Sequence, residues 1–103
     1  MTTSINNKRV LVIGLGDTGL SALRWLVAQG AVVSAADTRE NPPNIETVRA
    51  EFAQIDIRLG ALDAVFLGAM ELLVVSPGVA LEAPAIQAAL AAGVRVVGDV
   101  ELF

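Results

Sequence analysis

The sequence lacks most of the side chains that carry out acid–base and metal chemistry. It contains no cysteine, no histidine and no tyrosine, and Lys8 is its one lysine. The absence of cysteine excludes a disulfide framework and a thiolate metal site, and the absence of histidine removes the commonest general base and metal ligand. No Walker A lysine motif is present either, which argues against phosphoryl transfer by this chain alone. We therefore expect the 103 residues to bind a ligand, with no catalytic residue and no metal site.

Charge and hydropathy exclude two further classes of protein. The formal net charge is −4, which argues against a nucleic-acid partner because such a surface needs a basic patch. Glycine or charged residues interrupt every apolar stretch within about a dozen residues, too few to cross a bilayer. Residues 1–7 are polar and do not resemble a signal peptide. The sequence predicts a cytoplasmic domain with no membrane insertion.

Strands and helices are predicted to alternate along the chain. Short apolar runs indicate buried parallel strands, and apolar residues three or four apart indicate helices. The predicted strands are Arg9–Gly14, Ala31–Asp37, Ile55–Leu59 (near an edge), Leu72–Ser76 and a fifth that begins with Arg95–Gly98; the predicted helices are Thr18–Gln29, Asn44–Ala53, Leu62–Gly68 and Pro84–Ala92. This alternation predicts an α/β fold, a Rossmann-like doubly wound parallel sheet of order 3-2-1-4-5 with about four helices. A ligand is expected where the winding reverses, at the carboxyl ends of strands one and four.

The sequence also predicts the helix faces and ends. The expected buried faces are Leu20, Leu23 and Val27 in the first helix and Ile86 and Leu90 in the last. Gly30 and Gly93 are well placed to end these helices in a left-handed conformation. Asn44 is expected to cap the second helix.

A glycine motif follows the first predicted strand and opens the first helix. Residues 14–19, GLGDTG, match the pattern G-x-G-x-x-G. Gly14 permits the tight turn, Gly16 lets the backbone approach a phosphate, and Gly19 lets the helix pack closely on the sheet. The first N–H groups of the helix then favour an anion. The motif predicts binding of a diphosphate-bearing nucleotide, and the alternative is that its glycines only form a tight turn.

Two further segments are predicted to lie beside this motif. Asp37 ends the second strand roughly 20 residues beyond the glycines, where dinucleotide enzymes place an acid that binds ribose; the alternative is an aspartate that caps a turn. Thr38 and Arg39 follow, and Arg39 can stack on a base, pair with a phosphate or remain a solvated loop residue. After the fourth strand, the N–H of Gly78 could reach a ligand, unless Pro77 simply forms a β-turn there.

Four segments together resemble the N-terminal domain of a Mur ligase: VLVIGLGDTGLSALRWL, ADTRENPP, VVSPGVAL and VVGDVELF. The resemblance covers residues 9–103. It implies that the domain binds the UDP part of UDP-N-acetylmuramoyl-L-alanine in peptidoglycan precursor synthesis. The binding residues expected from the motifs and the resemblance are Gly14, Gly16, Asp17, Thr18, Gly19, Asp37, Thr38, Arg39, Ser76 and Gly78.

The resemblance also implies a larger parent enzyme. That enzyme would be an ATP-dependent, ADP-forming ligase that adds D-glutamate, and its sites for ATP, Mg²⁺ and the amino acid would lie in two further domains. We therefore expect residues 1–103 to be a single N-terminal domain with no cofactor of its own. Two alternatives stay open: the cofactor domain of an NAD-dependent oxidoreductase, and a regulatory module that senses a nucleotide.

Overall fold

Five strands alternate with four helices in the computed structural model, which describes residues 5–98. The elements are β1 (Arg9–Ile13), α1 (Asp17–Ala28), β2 (Val32–Asp37), α2 (Ile45–Glu51), β3 (Asp56–Leu59), α3 (Ala64–Gly68), β4 (Leu72–Val75), α4 (Pro84–Ala91) and β5 (Arg95–Gly98). The strands form one sheet of order β3-β2-β1-β4-β5, with parallel pairing throughout. The predicted α/β fold and strand order are confirmed. The final residues of the fourth segment of the resemblance, 99–103, lie outside the described residues.

The sheet separates two hydrophobic clusters, one on each face. Residues 10–13 of β1 are all fully buried, and because side chains alternate along a strand, Val10 and Val12 face one cluster while Leu11 and Ile13 face the other. Helices α1 and α2 pack on the first face, and α3 and α4 pack on the second. Each fully buried aliphatic side chain stabilises the fold by roughly 1.5–3 kcal/mol. Both faces of β1 are therefore covered, as the continuous apolar run predicted.

Strand β3 lies at the edge of the sheet, as its alternating sequence predicted. Ile57 and Leu59 are half-buried against the first cluster. Asp56 and Arg58 are exposed and form an ion pair, with Nε 3.0 Å from Oδ1. The alternation of apolar and charged residues thus matches a strand with one face packed against the core and one face exposed to solvent.

The predicted helix faces are wrong at one position in each of two helices. Val27 in α1 is 41% exposed and Leu90 in α4 is 44% exposed. The buried stripes instead pass through Leu26 and Ala89, each fully buried. Successive helical residues point about 100° apart, so the residue that follows the centre of the stripe is turned away from the sheet.

The helix ends agree with the sequence at the glycines but not at Asn44. Gly30 and Gly93 have φ of +83° and +94°, the predicted left-handed conformation. Asn44 precedes α2, but its side chain makes no capping hydrogen bond. With ψ of 17°, its backbone is outside the extended region typical of a capping residue. Its Nδ2 instead donates to Oδ1 of Asp17, at 3.2 Å.

Candidate functional site

A cleft of about 360 Å³ lies at the carboxyl ends of β1, β2 and β4. The residues that line it are Gly14, Gly16, Thr18, Asp37, Thr38, Arg39, Ser76, Pro77, Gly78 and Val79. The structure therefore brings eight of the ten predicted site residues together at the point where the winding of the sheet reverses. Asp17 and Gly19 are the two that do not line the cleft.

Gly14 and Gly19 are required by the packing of the chain itself. Gly14 has φ of +104°, and a Cβ there would lie 2.7 Å from the Cβ of Ser76. A Cβ on Gly19 would overlap the carbonyl oxygen of Gly14. These two glycines set the tight turn from β1 into α1 and the close approach of α1 to that turn, as the motif predicted.

Gly16 and Gly78 have no such requirement, although both line the cleft. Neither has a positive φ, and an added Cβ at either position would meet no atom of the described chain within 4 Å. Their missing side chains instead leave backbone exposed at two places on the wall of the cleft. Backbone in this state can be approached closely by a ligand.

The N-terminus of α1 supplies the electropositive part of the cleft. The helix has twelve residues, Gly16 occupies its N-cap position, and no side chain in residues 5–98 caps it. The first N–H groups of a helix have no partner within it, and the helix dipole favours an anion beside them. The carboxylate of Asp17 is exposed and accepts the hydrogen bond from Asn44, while Thr18 lines the cleft.

Asp37 is the one buried charged side chain in the described part of the chain, only 2% exposed. Its Oδ2 accepts from the backbone N–H of Leu15 and from Nη2 of Arg39, both at 2.8 Å. Its Oδ1 accepts from the backbone N–H and Nε of Arg39, both at 2.9 Å. Burial by itself would raise the pKa of Asp37, but these hydrogen bonds and the Arg39 charge outweigh it and lower the pKa. The carboxylate is therefore ionised at neutral pH.

Arg39 is the one cationic residue among those that line the cleft. Two parallel hydrogen bonds to Asp37 orient its guanidinium, while the side chain remains 54% exposed. The hydrogen bond to Asp37 raises the pKa of Arg39 further above its already high value. The residue thus presents a fixed positive group that can pair with a phosphate or stack on a base.

The segment after β4 forms another part of the wall of the cleft. The N–H of Val79 donates to the carbonyl of Ser76 at 3.0 Å and closes a turn with Pro77 in its second position, so the β-turn given as the alternative for this segment is present. The Ser76 hydroxyl donates to the carbonyl of Gly14 at 3.3 Å. The turn is thereby joined to the glycine motif, and it also lines the cleft.

Residues 8–98 match the family described as Mur ligase MurD-like, N-terminal domain. The chain belongs to this family. Among curated relatives, it is 56% identical over 99 residues to the UDP-N-acetylmuramoylalanine–D-glutamate ligase of Methylobacillus flagellatus, covering 96% of this chain and 22% of that protein. The enzyme of the same name from Pseudomonas syringae is 46% identical over 103 residues, 100% of this chain and 23% of that protein. The MurD-like chain therefore spans about a fifth of the length of these relatives.

Solved structures share the fold of this MurD-like domain. A pseudomurein peptide ligase type C from Methanothermus fervidus superposes with a TM-score of 0.73 at 20% identity, covering 94% of this chain and 20% of that one. Shikimate dehydrogenase from Aquifex aeolicus gives 0.63 at 15% identity, covering 94% of this chain and 44% of that one. At such low identity the likeness concerns the fold alone.

The MurD-like domain also places residues at the site that sequence reasoning missed. Pro77 and Val79 line the cleft, and the signal that could have found them is the turn in which they lie. Leu15 is fully buried between two glycines, and its N–H is bound by Asp37. An apolar residue inside a glycine motif could have indicated that burial, but no local pattern indicates the partner of its N–H.

The described residues contain neither a candidate metal site nor a membrane-spanning helix. Within residues 5–98, no group of three or more aspartate, glutamate, histidine or cysteine side chains is arranged to hold a metal ion. Among the helices of the same residues, none is long and apolar enough to cross a membrane.

Proposed function

We propose that this domain binds the UDP moiety of UDP-N-acetylmuramoyl-L-alanine on behalf of a ligase that adds D-glutamate during peptidoglycan precursor synthesis. The observation that carries the proposal is the cleft at the reversal of the sheet, which is lined by residues from an uncapped helix N-terminus, by two glycines with open space around them and by an arginine held by Asp37. The two curated relatives are UDP-N-acetylmuramoylalanine–D-glutamate ligases, which supports the choice of a UDP substrate and of D-glutamate.

The diphosphate would lie against the N-terminus of α1. The N-cap Gly16 and Thr18 in the first turn line the cleft, and no capping side chain competes for the first N–H groups of the helix. The Thr18 hydroxyl is a further donor within the cleft. Such local donors matter because the net charge of the chain is −4, so long-range attraction would not bring an anion to the site.

The uridine would lie between residues 37–39 and the turn after β4. Arg39 offers its exposed guanidinium to the base or a phosphate, and Thr38 offers a hydroxyl. Gly78 leaves room for the ligand at that turn. Asp37 lines the same part of the cleft and holds the Arg39 guanidinium in place through two hydrogen bonds.

The chemistry of the parent ligase would take place outside this chain. ATP, held with Mg²⁺ by other parts of that protein, would transfer its terminal phosphoryl group to the carboxylate of the muramoyl-alanine substrate, which would give an acyl phosphate and ADP. The amine of D-glutamate would then attack the acyl phosphate, form the amide bond and release phosphate. The present chain would position the substrate for these steps, in the cytoplasm, and would contribute no catalytic residue.

Calorimetric titration of the chain tests the choice of ligand. We expect heat of binding with UDP and with UDP-N-acetylmuramoyl-L-alanine, and no binding of NADH under the same conditions. Tight binding of NADH with no response to either uridine ligand would overturn the proposal and favour the cofactor domain of an oxidoreductase.

Two glycine-to-alanine variants test the place of binding. Gly78 and Gly68 both have open space around an added Cβ and neither has a positive φ, but only Gly78 lines the cleft. Gly78→Ala is expected to weaken UDP binding about tenfold or more, because a crowded methyl group costs about 1–3 kcal/mol. Gly68→Ala is expected to leave it unchanged. Equal affinities for the two variants would show that no ligand closely approaches Gly78.

A further inference from the structure

The buried carboxylate of Asp37 has no hydrogen-bonding capacity left for a ligand. A carboxylate can accept about four hydrogen bonds, and the four bonds from Leu15 and Arg39 already occupy both oxygens of Asp37. A ribose hydroxyl or a base N–H could bind there only by displacing one of these donors. Each displaced bond would leave a buried or charged donor less satisfied.

The four bonds join two parts of the cleft that are distant in sequence. Leu15 lies 22 residues before Asp37, inside the glycine motif, and its side chain is fully buried. Its N–H belongs to the peptide that follows Gly14, so fixing that N–H fixes the turn that leads to the N-terminus of α1. On the other side, two parallel bonds orient the Arg39 guanidinium, which remains half-exposed beside the cleft.

We propose that Asp37 is a positioning residue: through the Leu15 N–H it fixes the turn of the glycine motif, it orients the Arg39 guanidinium for a nucleotide diphosphate, and it makes no contact with that ligand itself. This inference rests on the proposed function, because it assigns a role within the same binding site. It assigns the direct contacts to Arg39 and to the backbone of the glycine motif, both of which face the cleft.

Ligand analogues separate this role from direct contact. The wild type and Asp37→Asn are titrated with UDP, 2′-deoxy-UDP, 3′-deoxy-UDP and UDP methylated at the uracil imide nitrogen. Each analogue lacks one donor that a carboxylate could accept. We expect Asp37→Asn to weaken all four ligands by the same factor, about tenfold, because the loss arises in the protein. If the factor falls to one for any analogue, Asp37 contacts the missing donor and the inference is overturned.

A double-mutant cycle gives an independent reading. If Asp37 acts through Arg39, the loss of UDP affinity in the combined Asp37→Asn, Arg39→Ala variant is smaller than the product of the two single losses. Independent contacts to the ligand would give multiplicative losses, and that result would overturn the inference.

If Asp37→Asn does not fold, nuclear magnetic resonance on the wild type decides: the Leu15 N–H and Arg39 Nε–H protons should remain protected from exchange when UDP is bound. Loss of that protection on binding would contradict the inference.

The outcomes also distinguish this inference from the proposed function. A wild-type chain that binds none of the uridine ligands would overturn the proposed function, and the role of Asp37 with it. A wild-type chain that binds UDP while the analogue or cycle result fails would overturn only the role of Asp37.

Discussion

Replacing Gly19 with alanine tests whether the glycine motif is a packing requirement of the fold. The new Cβ would overlap the carbonyl oxygen of Gly14, well inside the 3.0 Å that Cβ atoms keep from other heavy atoms. That carbonyl belongs to a fixed piece of backbone, because the Gly14 N–H donates to Ala36 at 2.8 Å and the carbonyl accepts from Ser76 at 3.3 Å. Relief of the overlap therefore requires α1 to move away from the turn.

The structure allows the size of the effect to be estimated. Overpacking costs about 1–3 kcal/mol, and more where the neighbour cannot move. A rigid carbonyl places Gly19→Ala at about 3 kcal/mol, from which about 1 kcal/mol is recovered because alanine favours a helix over glycine. The net loss of about 2 kcal/mol corresponds to a fall in Tm of roughly 8–16 °C for a domain of this size.

Gly16→Ala is the matched control for this prediction. Gly16 lies three residues away in the same motif, has φ of −80°, and an added Cβ there meets nothing within 4 Å. Only the weaker N-capping of alanine opposes this change, at about 1 kcal/mol or less. Thermal and urea unfolding followed by circular dichroism compares the two variants. A Gly19→Ala protein as stable as Gly16→Ala would refute the reasoning, since it would show that α1 is not held against the turn.

Two further predictions concern carboxylates. Because the folded state lowers the pKa of Asp37, its ionised form contributes stability that is complete above the ordinary value of about 3.9 and is lost as the pH falls through the lower folded value. Urea titrations between about pH 7 and pH 3 give the difference in unfolding free energy between wild type and Asp37→Asn. This difference is expected to shrink at the acid end, and a constant difference would contradict the lowered pKa. Asp63→Ala is expected to cost about 1 kcal/mol, because the carboxylate caps α3 by accepting from the N–H groups of Val65 and Phe66. Asp56→Ala, which removes only an exposed ion pair, should change Tm less in the same thermal scans.

The fold was predictable because it depends on patterns that are local in sequence. The uninterrupted apolar run of β1 indicates a strand covered on both faces, and that strand is fully buried from Val10 to Ile13. Strand–helix alternation then restricts the connections to right-handed crossovers. The buried faces of the helices were less predictable, because a helical pattern does not say where the centre of the buried stripe lies. Val27 and Leu90 were therefore expected to be buried, but they are exposed.

The partners of the polar side chains were not predictable in the same way. Asp37 was expected near the cleft from its place at the end of β2, but its bond to Leu15 depends on how β1 and β2 align, with Ile13 opposite Ala36. The bond between Asn44 and Asp17 likewise joins residues 27 positions apart. Short polar side chains choose among several nearby partners of similar energy, so only the assembled backbone selects one.

A composition without cysteine, histidine or tyrosine and with one lysine is compatible with anion binding for a physical reason. Asp37 and Arg39 are hydrogen-bonded to each other, so together they add little net charge to the cleft. The attraction for a phosphate must therefore come mainly from backbone N–H groups at the start of α1, which carry a partial positive charge without any side chain. Gly16 leaves that backbone accessible and Gly78 does the same for the turn after β4, since neither glycine is required by the packing of the described chain. Under the proposed function, a chain with a net charge of −4 and one lysine would hold a diphosphate mainly through donors of its backbone.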